Sequence, residues 1–147
     1  MDKPDFLWGM YQEHCTQGRH HEVQRATVSS FIIIVAGAVL AFMANREVPQ
    51  GKWSLAVFLI IVGLFGALFS AKQYERFSRH MAIASSYRRE LEELLGNKAV
   101  SIKGGLKSEH EKTFPRLAKL HLHYFWIALH LLIASLGVTL LVLAVRK

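Results

Sequence analysis

Three long apolar runs alternate with charged stretches along the chain. Positions without Asp, Glu, Lys or Arg run from Val28 to Ala44, from Trp53 to Ala71 and from Tyr124 to Val145. As helices rising about 1.5 Å per residue, these runs would measure roughly 26, 28 and 33 Å, close to the thickness of about 30 Å of a bilayer's hydrocarbon core. The pattern predicts an all-α, polytopic membrane protein with about three transmembrane helices and helical cytoplasmic extensions.

The residues between the runs predict how the helices are connected. Pro49 and Gly51 lie between the first two runs and favour a tight helical hairpin over residues 28–71. Residues 1–27 predict an amphipathic helix over 5–17, lying on the membrane surface or packing on the protein, with Gly18 loosening the chain after it. Residues 72–123 predict a basic cytoplasmic helical segment, and Pro115 is expected in the first turn of a helix that continues into the third span, 124–147.

The second apolar run has no helix breaker at its end, so we expect one helix to continue to a C-terminal cap at Gly96. An apolar stripe with alternating spacings of three and four follows this extension, and Arg88 is its one polar member. The stripe either packs on the protein's own helices or forms an oligomerisation seam between subunits. Its other members are Tyr74, Phe77, Met81, Ala84, Leu91 and Leu95.

Small residues recur about one turn apart on the first two predicted spans, which lets helix backbones approach closely. They join helices either within one chain or between subunits. The candidate packing positions are Gly37, Ala41, Gly63, Gly66, Ala67 and Ser70.

The distribution of positive charge predicts orientation. The chain has a net charge of +7, one cysteine, 52% hydrophobic and 20% charged residues. The N-terminal segment and residues 72–123 together hold 14 of the 18 Lys and Arg residues. Because cytoplasmic loops carry the excess of Lys and Arg, we expect these two segments in the cytoplasm of a bacterial inner-membrane protein.

Candidate chemistry is sparse. His130 lies within the third apolar run, where an imidazole either bonds a neighbouring helix, through Ser29, Ser30, Ser70 or Ser135, or lines a path for ions or protons. Arg116 and His121 form an R-x4-H string similar to the motif of HEPN ribonucleases. No histidine spacing matches a zinc signature, and we expect no enzyme activity, cofactor or metal site.

The stretches YQEHCTQGRHHEVQRATV, GLFGALFSAKQYERFSRHM and WIALHLL resemble small uncharacterised bacterial inner-membrane proteins. The architecture is similar to SLATT-type two-span effectors and RipA-like small oligomeric membrane proteins, although the third span departs from their pattern. The SLATT resemblance implies a membrane-disrupting effector of anti-phage or nucleotide-signalled defence, and it carries over no catalytic residues.

These observations favour an oligomeric, membrane-perturbing or pore-forming effector of abortive-infection defence. Its expected partners are the lipid bilayer, further copies of the chain, and a cytoplasmic protein or anionic nucleotide as trigger; nucleic acid is not expected. The alternatives are a membrane-anchored scaffold that recruits a cytoplasmic partner, a small channel or transporter subunit, and a membrane-tethered ribonuclease.

Overall fold

The computed structural model describes residues 2–44, 52–96 and 109–145. Helix α1 spans Lys3–Ala44 and helix α2 spans Lys52–Leu94. A 3-10 helix, Leu117–Lys119, precedes helix α3, Leu122–Val145, and residues 109–113 are also helical. Each of the three α-helices is long and apolar enough to cross a membrane, so the predicted all-α fold with three candidate spans is confirmed.

The chain divides into two compact units. Met1–Glu22 with Glu75–Leu122 forms one, here called the polar unit, and Val23–Tyr74 with His123–Lys147 forms the other, here called the apolar unit. The predicted boundaries at residues 27, 71 and 123 lie near these divisions. The connection predicted over residues 45–52 lies outside the described residues except for Lys52.

Two expectations about helix ends hold in α2. The helix passes through residues 71 and 72 without interruption, as the lack of a breaker predicted. Gly96, two residues after its last helical residue, has a φ of 83°, a left-handed conformation that glycine adopts without a steric cost. The predicted C-terminal cap is therefore confirmed.

The expectation that Gly18 loosens the chain is wrong, because α1 passes through it as regular helix. Gly18 is buried in the polar unit, and a Cβ there would lie 3.2 Å from Met81 Sδ and 3.5 Å from the Phe77 ring. The missing side chain thus allows a close contact with α2. This packing stabilises the helix at Gly18, although glycine by itself is a poor helix former. Residues 5–17 are one part of α1 and not a separate helix.

The expectation that a helix from Pro115 continues into the third span is also wrong. Leu120 has an extended conformation, with φ −80° and ψ 118°, and separates the 3-10 helix from α3. Leu117, Leu120 and Leu122 are all exposed. Because helices in proteins are stabilised mainly by burying an apolar face, this stretch lacks the packing that would extend α3 backward.

Candidate functional site

The inward face of the apolar unit changes from small and apolar to polar along its helices. On α1 the buried residues Ile32 and Ala36 follow Ser29, at helical spacing. On α2 the buried Ala56 and Leu59 precede Ser70 and Gln73. On α3 the buried residues are His130, Ala134 and Gly137. Each of the three helices therefore contributes a buried polar residue to this face: Ser29 on α1, Ser70 on α2 and His130 on α3.

His130 is completely buried and its Nε2 lies 2.9 Å from Ser29 Oγ. This hydrogen bond joins α3 to α1. Ser29 is one of the four serines that the sequence offered as partners. Which serine faces the ring depends on how the helices are rotated about their axes, and the sequence does not specify this rotation.

The surroundings of the other nitrogen of His130 favour one tautomer. Nδ1 is buried and has no hydrogen-bond partner among the described residues. It faces the backbone of Gly66, where an added Cβ would overlap Nδ1 and lie 2.7 Å from Cγ. An unpaired buried N–H is rarer in proteins than an unpaired acceptor, so the neutral tautomer with its proton on Nε2, donating to Ser29 Oγ, fits this environment.

Two further glycines set the contact between α2 and α3. A Cβ at Gly63 would lie 2.6 Å from the Ala134 nitrogen and 2.8 Å from the His130 carbonyl oxygen. A Cβ at Gly137 would lie 2.9 Å from the Ala56 carbonyl oxygen. Both contacts are with backbone atoms, so the two helices approach as closely as they do only because these positions have no side chain.

The six candidate packing residues fall into two groups. Gly63, Gly66, Ala67 and Ser70 are buried within the chain. Gly37 and Ala41 are exposed, and a Cβ at Gly37 would meet nothing within 4 Å. The second group therefore takes no part in the packing of the described single chain.

The predicted oligomerisation seam is partly occupied by the chain itself. Tyr74 stacks on His123 in the apolar unit, with ring centroids 3.7 Å apart. In the polar unit Phe77 and Met81 contact Gly18, and Ala84 is buried. Arg88 forms an ion pair with Glu92 at 3.1 Å on its own helix, Leu91 is half-buried and Leu95 is exposed.

Arg116 and His121 are both exposed. Arg116 precedes the 3-10 helix without making a side-chain cap, and His121 Nδ1 lies 3.0 Å from the Lys119 carbonyl oxygen. The 3-10 helix Leu117–Lys119 begins after Arg116 and ends before His121, so the two residues do not share one face of a helix.

One cluster escaped sequence reasoning. His14 and His80 lie with their Nδ1 atoms 3.0 Å apart in the polar unit, and the His21 ring stacks on His80. The seven-residue spacing of His14 and His21, which puts both on one side of a helix, was the signal that could have revealed two of the three members of this cluster. Among the described residues no group of three or more His, Cys, Asp or Glu side chains is placed to hold a metal ion.

Comparison with known proteins adds no relative. No protein-family model, no curated protein and no solved structure matches this chain. The fold and its packing therefore define the class: an all-α protein with three helices suited to crossing a membrane, joined by glycine contacts and a buried Ser–His hydrogen bond.

Proposed function

We propose that this chain is a homo-oligomeric, multi-pass protein of the bacterial inner membrane that perturbs the bilayer as an effector of anti-phage defence. Its N-terminus and residues 72–123 would face the cytoplasm, where most of the Lys and Arg residues lie. A cytoplasmic protein or an anionic nucleotide would act as the trigger. The resemblance to SLATT-type effectors supports the biological role, and the helix surfaces support the assembly.

The unused small-residue face of α1 is the observation that carries this proposal. Gly37 and Ala41 are four residues apart and both are exposed, whereas the corresponding face of α2 is buried against α3. A small residue, three others and a second small residue form the spacing at which membrane helices associate closely. An exposed pair of this kind on a predicted span supports contact with a second copy of the chain.

The tight packing of the three helices within one chain supports an ion path that lies between subunits and not among the helices of one subunit. His130 and Leu59 are fully buried, and Gly63 and Gly137 bring α2 and α3 into backbone contact. At these residues the inward faces of α2 and α3 are covered by protein atoms. An effector built this way would open the membrane at the contacts between subunits, with the lipid bilayer as its first partner.

The experiment compares assembly and depolarisation in the same variants. Gly37→Leu places a large side chain on the exposed face of α1, and Ala128→Leu adds the same side chain at an exposed position on α3 as control. Native mass measurement in lipid nanodiscs should give a multiple of 16.7 kDa for the wild type and Ala128→Leu, and mainly the monomer for Gly37→Leu. A potential-sensitive dye should report depolarisation of phage-challenged cells expressing the first two proteins only.

A wild-type monomer in nanodiscs would refute the assembly. An oligomer that leaves the membrane potential intact during phage challenge would refute the effector role and favour the scaffold alternative.

A further inference from the structure

Three histidines from two helices meet in the polar unit. His14 and His21 lie seven residues apart on α1, and His80 of α2 lies between their levels. The ring centroids of His14 and His80 are 5.2 Å apart, and those of His21 and His80 are 5.3 Å apart. Tyr87 of α2 stacks on His14, with centroids 5.7 Å apart. This histidine cluster therefore lies in the contact between α1 and α2 in the polar unit.

The hydrogen bond between His14 and His80 limits how many protons the cluster holds. Their Nδ1 atoms are 3.0 Å apart, so one must carry a hydrogen and the other must accept it. One added proton leaves this bond intact, because it binds at an Nε2 atom and turns the bond into a charge-assisted one. A second added proton places two N–H donors face to face, which breaks the bond and brings two positive rings together.

The surroundings of His80 also disfavour its protonated form. Burial lowers the pKa of His80 from its ordinary value of 6.5, and the facing His14 and His21 of α1 and the adjacent Arg79 of α2 lower it further. Glu13 of α1 acts in the opposite direction but is the smallest of these influences. When the pKa of a histidine is lower in the folded state, the unfolded state binds more protons, so stability is full above about pH 6.5 and falls as the pH decreases below it.

We propose that the cluster of His14, His21 and His80 is an acid-sensitive lock that holds α1 against α2 in the polar unit at neutral pH and releases it on acidification. Histidine is the side chain whose charge changes in this range. The lock lies in the segments predicted to be cytoplasmic, so the signal it would read is a fall in the pH of the compartment around the polar unit. The proposal stands independently of the effector role, since it concerns contacts inside one chain.

The experiment measures the distance between α1 and α2 in the polar unit as a function of pH. Spin labels are attached at Thr16→Cys and Ser85→Cys, two exposed positions on different helices, in a Cys15→Ser background. The full chain is held in phosphatidylcholine nanodiscs, with a chelator present, and pulsed electron resonance gives the distance distribution at pH 8 and pH 5.

We expect one narrow distribution at pH 8. At pH 5 its mean should increase by about 5 Å or more, which is half of the usual 8–10 Å spacing of packed helices. His80→Gln, which retains hydrogen-bonding groups but does not titrate, should show the pH 8 distribution at both pH values. His110→Gln, an exposed histidine of the same unit, should keep the wild-type response.

A wild-type distribution that is the same at both pH values would overturn the proposal, and so would an equal response in His80→Gln. If His80→Gln already differs from the wild type at pH 8, His80→Phe replaces it, since phenylalanine retains the ring stack on His21. An unchanged acid response in His80→Phe would count against the lock just as decisively.

Discussion

Adding one methyl group at Gly66 should loosen the contact between α2 and α3. A Cβ at this position would overlap His130 Nδ1 and lie 2.7 Å from Cγ and 2.8 Å from Cε1 of the same ring. His130 is completely buried and lies 2.9 Å from Ser29 Oγ, so its ring can yield to the methyl group only by giving up this hydrogen bond. Either the helices separate or the ring turns away from Ser29.

Overpacking a well-packed contact costs about 1–3 kcal/mol. Losing the Ser29–His130 hydrogen bond would add about 0.6 kcal/mol, the average for such bonds between membrane helices. Alanine is a better helix former than glycine by about 1 kcal/mol, which offsets part of the loss. The steric term is the largest, so Gly66→Ala should lower the free energy of unfolding by about 2 kcal/mol.

The assay is reversible unfolding in mixed micelles by increasing the fraction of SDS, followed by circular dichroism. Gly9→Ala is the matched control, since a Cβ at Gly9 on α1 would meet nothing within 4 Å. It should be as stable as the wild type or more stable. The combination of Gly66→Ala with His130→Ala provides a double-mutant cycle, in which the methyl group should cost much less once the ring is gone.

The predicted clash at Gly66 would be refuted if Gly66→Ala unfolded at the same SDS fraction as Gly9→Ala. It would be refuted equally if the cost of the methyl group were unchanged in the His130→Ala background, because the ring would then not be the group that it meets.

Three further substitutions test other contacts by the same unfolding measurement. Gly63→Ala should cost more than Gly66→Ala, about 3 kcal/mol, because the atoms at 2.6 and 2.8 Å belong to backbone and cannot rotate away. Ser29→Ala should cost about 1 kcal/mol by leaving His130 Nε2 unpaired; a neutral result would argue against the assigned hydrogen bond. Gly18→Ala should stabilise the protein by up to about 1 kcal/mol, because the Met81 Sδ that a Cβ would meet at 3.2 Å belongs to a flexible side chain that can turn aside. A clear loss of stability would contradict this.

The spans and the long second helix followed from the sequence because they depend on local composition. A run such as Trp53–Ala71 needs a bilayer or a protein interior wherever it lies, and nothing after it stops the helix before Gly96. The two errors concern positions where packing decides. Gly18 stays helical because it faces Met81, and residues 116–121 do not extend α3 because their leucines find no surface to pack on.

The side-chain contacts in the candidate sites could not be predicted from the sequence for a different reason. The bond between Ser29 and His130 joins residues 101 positions apart, and that between His14 and His80 joins residues 66 positions apart. Each depends on the rotation of one helix about its axis relative to another. Periodicity indicates which residues share a face of a helix, but it does not indicate which residue of another helix that face will meet.

The glycine contacts between α2 and α3 also fix the register of the two helices along their axes. From the present register, a slide of α3 by one turn, about 5.4 Å, toward Lys52 would press Ala134 against the bulk of Leu59. A slide of the same length toward Ser70 would carry Ala134 past Gly66 and Ala67, where small residues continue. This second slide would, however, bring Leu140 or Leu141 to the place of Gly137 beside the Ala56 carbonyl oxygen, where even a Cβ would lie 2.9 Å away. Bulky side chains therefore oppose axial movement of α3 in both directions.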